Sequence, residues 1–186
     1  FAQLMEMVAK VSPELRVRFS TSHPKDMTDD VLHAMAKYEN LCNYIHLPVQ
    51  SGNSDVLKRM NRGYSREWYL QRIEAIHKII PDCAISTDVI SGFCGETEAE
   101  HKDTLSLMDA VKYDFAYMFK YSERPKTLAE RKFEDDVPDE VKSKRLSEII
   151  DKQLKFSLAS NKKRIGLVEK VLIEGESKRS NEHMCG

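Results

Sequence analysis

The chain has 186 residues, of which 41% are hydrophobic and 32% charged, with seven Gly, six Pro and a formal net charge of -1. That suffices for one sizeable core and a small appendage, and excludes a disordered, collagen-like or low-complexity chain. No apolar run approaches the roughly 18 to 20 residues of a membrane span, and no basic start, apolar core and cleavage site opens the chain. A soluble, cytoplasmic protein with no membrane partner is therefore expected.

The small net charge hides an asymmetry. Residues 1–120 carry 14 Lys+Arg against 17 Asp+Glu, and residues 121–186 carry 15 against 13; within Lys142 to Arg179 the count is 11 against 5. Such a local excess either attracts a polyanion such as RNA or simply solvates a helix face. Cys42, Cys83, Cys94 and Cys185 show no Cys-x-x-Cys spacing, so they read as reduced thiols and no metal site is visible.

In chain order, a helix over Gln3 to Val11 precedes a strand-like run at Leu15 to Thr21. A helix over Asp29 to Tyr38 leads to a second strand, Asn43 to Val49. Helices at Ser54 to Met60 and Arg66 to Ile80 separate this from a third strand, Ala84 to Ile90. A helix at Glu98 to Val111, opened by the Thr97-x-x-Glu100 spacing of a capping box, leads to the fourth strand, Phe115 to Tyr121. Strand starts recur every thirty to forty residues, the length of a βα unit, and predict a parallel sheet wrapped by helices. From about Val137 to Arg164 runs one long charged helix, with Val141, Leu146, Ile149, Ile150, Leu154 and Leu158 as its apolar face. Gly166 to Gly175 alternates like a half-exposed strand, the expected beginning of a further module. Four βα units are half of an eight-stranded barrel, so the chain is expected to be part of a larger protein.

Ligands of parallel βα sheets bind where strands end, and all four runs end in polar turns. These are Ser20-Thr-Ser-His-Pro24, Pro48-Val-Gln-Ser-Gly52, Asp88-Val-Ile-Ser-Gly-Phe-Cys-Gly-Glu96 and Lys120-Tyr-Ser-Glu-Arg-Pro125. His23 could orient a loop or act as acid or base, and His46, inside an apolar strand, reads as a hydrogen-bonded core residue. Asp88 among Ile85, Val89 and Ile90 needs a hydroxyl or a cation as partner. The Gly92 to Gly95 turn lacks the ending of a phosphate loop and reads as backbone clearance for a flat ligand, with Phe93 or Phe119 stacking on a base or packing in the core. Arg62-Gly-Tyr64 and Ser122 to Pro125 set cations beside tyrosines at loop positions, suited to phosphate and base contacts; Lys178-Arg179 is a weaker candidate of the same kind.

Taken together, Ser20 to Pro24, His46-Leu-Pro-Val-Gln-Ser-Gly52, Met60-Asn-Arg-Gly-Tyr64, Asp88 to Thr97 and Tyr121-Ser-Glu-Arg-Pro125 resemble the radical-SAM methylthiotransferases, over essentially the whole chain. The branch most resembled makes 2-methylthio-N6-isopentenyladenosine beside the tRNA anticodon; the sister branch acting on threonylcarbamoyl-adenosine is a neighbour. The resemblance implies an α/β fold: a partial, TIM-like barrel of parallel strands at 1–136, a linker helix at 137–165, and at 166–186 the first strand of a truncated RNA-binding TRAM β-barrel. It implies S-adenosylmethionine and two 4Fe-4S clusters in the full-length protein, while the Cys-x-x-x-Cys-x-x-Cys loop and the other cluster's cysteines are absent from this sequence, so the chain alone is expected inactive. In the family's chemistry a reduced cluster cleaves S-adenosylmethionine to a 5′-deoxyadenosyl radical, a C–H bond is replaced by sulfur, and the sulfur is methylated. Partners implied are a tRNA anticodon stem-loop and an electron donor, with the protein a monomer.

Carried onto this sequence, the resemblance assigns Gln50, Ser51 and Asp88 to the ribose and methionine of S-adenosylmethionine. Ile90, Gly92, Phe93 and Phe119 go to its adenine, and Ser20 to the same rim. Ser22 and His23 go to cofactor or substrate, and Arg62, Tyr64, Tyr121 and Arg124, with Lys178 and Arg179, to the RNA. Cys94 stands where many relatives have Pro, and Lys126 where Gly is usual after Arg-Pro. Two other readings compete: a stand-alone RNA-binding module with a vestigial rim, and an unrelated partial-barrel lyase using His23 and Asp88.

Overall fold

Three of the four strand-like runs form a parallel sheet in the computed structural model, which describes residues 1–20 and 23–185. The order is β1 (Tyr44–His46), β2 (Ala84–Ser91), β3 (Phe115–Lys120), with β2 central. Helices α1 (Ala2–Ala9) and α2 (Asp29–Lys37) precede β1, and α3 (Ser54–Arg59) and α4 (Arg66–Ile79) link β1 to β2. Helix α5 (Glu98–Val111) links β2 to β3, and α6 (Leu128–Lys132) and α7 (Asp139–Lys162) follow.

The period-two pattern sorts the sheet's two faces. Ile45, Ile85, Thr87, Val89 and Ala116 point to the helix side and are buried, packed among residues such as Leu32, Leu57, Ile76 and Leu107. The opposite face carries His46, Ser86, Asp88 and Ile90, with Phe115, Tyr117 and Phe119 about half exposed. The sheet is open, a partial barrel whose concave face is lined by polar and aromatic groups. The capping box forms as expected: Thr97 accepts from the Glu100 amide, and Glu100 accepts from the Thr97 amide at 2.7 Å.

Leu15 to Thr21 does not form the expected strand. Val17 alone makes a parallel bridge to Leu41, its amide donating to Asn40 O and its carbonyl accepting from Cys42 N. The partner segment there is a turn, so the ladder has nothing to extend along; Thr21 lies outside the described residues.

Helix α7 buries only part of the face its apolar residues predict: Ile149 is fully buried and Val141, Leu146 and Ile150 partly so. Its inward stripe is Lys142, Arg145, Ile149 and Gln153, while Leu154 and Leu158 are exposed. The reason is what α7 packs on. It crosses strand ends and loops that present carbonyls and carboxylates, and these need donors more than they need apolar cover. Lys142 Nζ meets Asp135 Oδ1 at 2.5 Å, Arg145 Nη1 donates to Glu96 O at 2.8 Å and Oε2 at 3.1 Å, and Gln153 Nε2 donates to Tyr113 O at 2.8 Å.

Residues 166–174 are not the expected strand either. They have no ladder partner among the described residues, and Val168, Val171, Leu172 and Ile173 are exposed. The strands of this region are instead an antiparallel hairpin, β4 (Gly175–Ser177) and β5 (Ser180–Cys185). Alternation of apolar and charged residues specifies which side a strand would bury, but a strand also needs a neighbour to pair with. No helix of the described residues is long and apolar enough to cross a membrane.

Candidate functional site

At the carboxyl ends of the three strands lies a cleft of two lobes that share Gln50, Ile90, Tyr121, Thr127 and Ala129. The larger, about 580 Å³, adds Asp88, Phe119, Lys120, Ser122 and Arg124. The smaller, about 380 Å³, adds Arg59, Met60, Asn61, Arg62, Phe93 and Leu128. Of the residues expected at a site, the fold thus brings together Gln50, Asp88, Ile90, Phe119, Tyr121 and Arg124 in one lobe, and Arg62 and Phe93 in the other.

The loop after β1 is shaped by Pro48, which cannot donate to the ladder. Gln50 resumes the pairing: its amide donates to Asp88 O and its carbonyl accepts from Ile90 N, both at 2.9 Å. It does so with φ of 72°, a left-handed conformation uncommon for a residue with a side chain and often found at functional positions. Asp88 projects from the central strand, its side chain 28% exposed, with Oδ1 3.4 Å from His46 Nε2. His46 is hydrogen-bonded as expected, Nδ1 lying 2.8 Å from Ser86 Oγ, but it is partly exposed on the open face of the sheet and not a core residue. Tyr121 presents a hydroxyl that is buried without a hydrogen-bond partner among the described residues; burial raises its pKa.

Other expected residues are placed elsewhere. Ser51 is fully buried and lines neither lobe; its hydroxyl lies 3.4 Å from Thr104 Oγ1 and accepts from Asn53 N. The clearance at Gly92 goes to α7 and not to a flat ligand, since a Cβ there would stand 2.3 Å from Lys142 Cγ. Tyr64 is buried and its hydroxyl donates to the carbonyls of Pro48 and Val49, bracing the loop beneath Gln50. His23 accepts the Lys25 amide at Nδ1, so Nε2–H donates to Arg62 O at 3.0 Å; it orients the loop that carries Arg62. Ser20 lies on two other depressions, beside Phe19, and Lys178 and Arg179 occupy the turn of the β4–β5 hairpin. Ser22 lies outside the described residues.

Phe93 packs against Tyr121 and Phe133, edge to face, and is only 4% exposed, so its ring belongs to a small core with one edge on the smaller lobe. Cys94 beside it is 2% exposed, and burial pushes its thiol pKa up, which leaves a poor nucleophile. Burial pushes Cys83 up to about 12, with the charge of Asp114 adding to it. Among the described residues no group of three or more His, Cys, Asp or Glu could hold a metal ion, so they do not fit an iron-sulfur cluster.

Two contributors to the cleft were not anticipated. Arg59 comes from the end of α3, paired with Glu100 at 2.9 Å. Thr127, Leu128 and Ala129 come from the start of α6, and here a signal existed: Thr127-x-x-Glu130 repeats the spacing of the Thr97 box, and Thr127 does accept the Glu130 amide.

The radical SAM superfamily model matches residues 1–108. Among curated relatives, the tRNA-2-methylthio-N(6)-dimethylallyladenosine synthase of Amoebophilus asiaticus is 63% identical over 97% of this chain and 37% of its own length. The same-named proteins of Azobacteroides pseudotrichonymphae and Bacteroides fragilis are 58% and 54% identical over the whole chain and 41% of theirs. The chain thus spans about two fifths of the length of the curated relatives it matches. Among solved structures, coproporphyrinogen III oxidase from Escherichia coli, described as a radical SAM enzyme, superposes with a TM-score of 0.66 at 22% identity, over 83% of this chain and 36% of that one. That similarity supports the partial-barrel fold, and the family match, which covers more than half of the residues, establishes that the chain belongs to the radical SAM superfamily.

Proposed function

We propose that the chain is part of a tRNA methylthiotransferase that adds a 2-methylthio group to N6-isopentenyladenosine next to the anticodon. The observation that carries this reading is the two-lobed cleft on the strand ends, in a chain 54% to 63% identical to synthases of that name over nearly all its length.

The larger lobe fits S-adenosylmethionine. Its volume is that of a small-molecule site, with two apolar walls and a few convergent polar groups. Ile90 and the exposed ring of Phe119 offer faces to the adenine, and Asp88 and the Gln50 side chain offer acceptors to the ribose hydroxyls. When bound, S-adenosylmethionine supplies the radical and methyl chemistry, and these residues orient it and exclude water. In the smaller lobe Arg62 would meet a phosphate, and Tyr121, which lines both lobes, an unstacked adenosine, with Arg124 at the far rim.

Residues 1–136 serve as barrel, 137–165 as linker and 166–186 as the start of the RNA-binding module, with Lys178 and Arg179 toward phosphates. The cluster ligands and the electron-donor surface are assigned to parts of the protein beyond these residues; the protein acts as a cytoplasmic monomer.

The test is to express the full-length protein in a bacterium lacking its own synthase and to digest the tRNA for nucleoside mass spectrometry. The 2-methylthio derivative of isopentenyladenosine is the expected product, and it should be lost with Asp88→Ala. Methylthiolation of threonylcarbamoyl-adenosine instead would reassign the substrate. Salt-dependent tRNA binding with no methylthiolated nucleoside at all would leave a non-catalytic RNA-binding protein.

A further inference from the structure

On the concave face a single file of polar groups runs toward the cleft. Tyr44 Oη lies 2.6 Å from Ser86 Oγ, Ser86 Oγ lies 2.8 Å from His46 Nδ1, and His46 Nε2 lies 3.4 Å from Asp88 Oδ1. Register explains the file: His46 pairs with Ser86 across β1 and β2, and Asp88 follows two residues on, so all three side chains share one face. Ser86 is fully buried, so its one proton and its oxygen both need partners. The arrangement that satisfies every proton has Tyr44 donating to Ser86 and Ser86 donating to Nδ1, which leaves the ring proton on Nε2, facing Asp88. The Tyr117 ring, edge-on at 5.8 Å, closes the other side of the imidazole.

His46 itself lines neither lobe of the cleft; Asp88 does. We propose that His46 is a positioning residue, which ties one oxygen of Asp88 so that the other faces the larger lobe and accepts from the ribose hydroxyls of the bound nucleoside. This rests on the reading of that lobe as a nucleoside site. A carboxylate free to rotate gives a hydroxyl pair no fixed acceptor, whereas one held from behind gives one acceptor in a set direction.

Two substitutions separate the ends of the ring. Gln in place of His46 puts an amide near the Nε2 position and can still reach Asp88; Asn keeps a group near Nδ1, facing Ser86, and cannot. In the full-length protein with its clusters reconstituted, calorimetry would measure binding of S-adenosylhomocysteine and of its 2′-deoxyribose analogue, beside thermal melting. His46→Asn is expected to bind S-adenosylhomocysteine roughly tenfold more weakly, the loss of one close N···O contact to a carboxylate, and to lose discrimination between the two ligands. His46→Gln is expected to keep both. Ser86→Ala, which frees the ring from the other side, is expected to lose discrimination as well. If Asp88→Asn changes neither affinity nor discrimination, the nucleoside-site reading itself falls. If Asp88→Asn weakens binding while His46→Asn behaves as wild type, or if the Asn and Gln variants lose equally, the positioning role is overturned and the site reading stands.

Discussion

The hydroxyl of Thr87 bridges Leu47 and Val49 where the ladder between β1 and β2 breaks. Strand β1 ends at His46; Leu47 N still donates to Ser86 O, but the next amide facing β2 is Val49 N, and the backbone pairing resumes only at Gln50, whose amide donates to Asp88 O. Thr87, fully buried on the neighbouring strand, donates its hydroxyl hydrogen to Leu47 O at 3.0 Å and accepts from Val49 N at 2.9 Å. One side chain thus gives the Val49 amide its acceptor and joins the Tyr69 hydroxyl on Leu47 O, where the chain passes the proline on its way to Gln50.

Thr87→Val keeps the shape and removes the hydroxyl, leaving the buried Val49 N–H without its acceptor, while Leu47 O keeps the Tyr69 hydroxyl at 2.8 Å. We expect a loss of about 2 kcal/mol in denaturant unfolding, with Thr87→Ser retaining most of the stability. A loss confined to a few tenths would mean that water or a shifted backbone takes over the Val49 amide.

Much of this fold was written in the pattern of its sequence. The period-two runs at Ala84 and Phe115, the Thr97 box and the polar strand ends located the sheet and the cleft, because local periodicity and caps act over a few residues. What was hidden depended on distant partners. The apolar residues of α7 predicted Ile149 in the buried stripe but not Lys142, Arg145 and Gln153 beside it, because these meet Asp135, Glu96 and the Tyr113 carbonyl, which no helical periodicity encodes. Gly92 was legible as clearance, but that Lys142 fills it, from fifty residues later, was not. Ser51 and Gln50 are neighbours with opposite fates, one spent inside the core and the other on the cleft, because Pro48 and the left-handed Gln50 turn the chain between them.

Acid should act on the Arg59–Glu100 pair that backs the smaller lobe. Burial pushes the Glu100 carboxyl up, but the Arg59 guanidinium and the Thr97 amide together outweigh it and hold the pKa below its ordinary value. A depressed carboxylate contributes stability above its unfolded pKa, and loses it as pH falls through the folded value. Glu100→Gln, which keeps the cap but not the charge, should therefore cost about 1 kcal/mol at neutral pH. That difference from wild type should begin to close as pH falls into the ordinary carboxylate range, about pH 4, and vanish below the folded value. A gap in unfolding free energy that does not narrow as pH falls through the carboxylate range would show that the charge is not its source.

Lys126 marks a place where the backbone asks for a residue the sequence does not have. The family pattern puts Gly after Arg-Pro, and Lys126 here has φ of 69°, in the left-handed region where a Cβ is penalised. The turn is held by its neighbours: the Lys126 amide donates to Glu130 Oε2 at 3.0 Å, and Arg131 Nη2 donates to Lys126 O at 3.3 Å. Lys126→Gly relieves roughly 1 kcal/mol of backbone strain and gives part of it back as unfolded-state freedom, so a net gain of about 0.5 kcal/mol is expected. Lys126→Val, β-branched at positive φ, should lose more than about 1 kcal/mol at the same position. Unfolding midpoints that rank Gly above Lys above Val would locate the effect in the backbone. Equal midpoints for Gly and Val would mean that the turn relaxes out of the left-handed region, and the start of α6, with Thr127 and Ala129 on the cleft, would be expected to move with it.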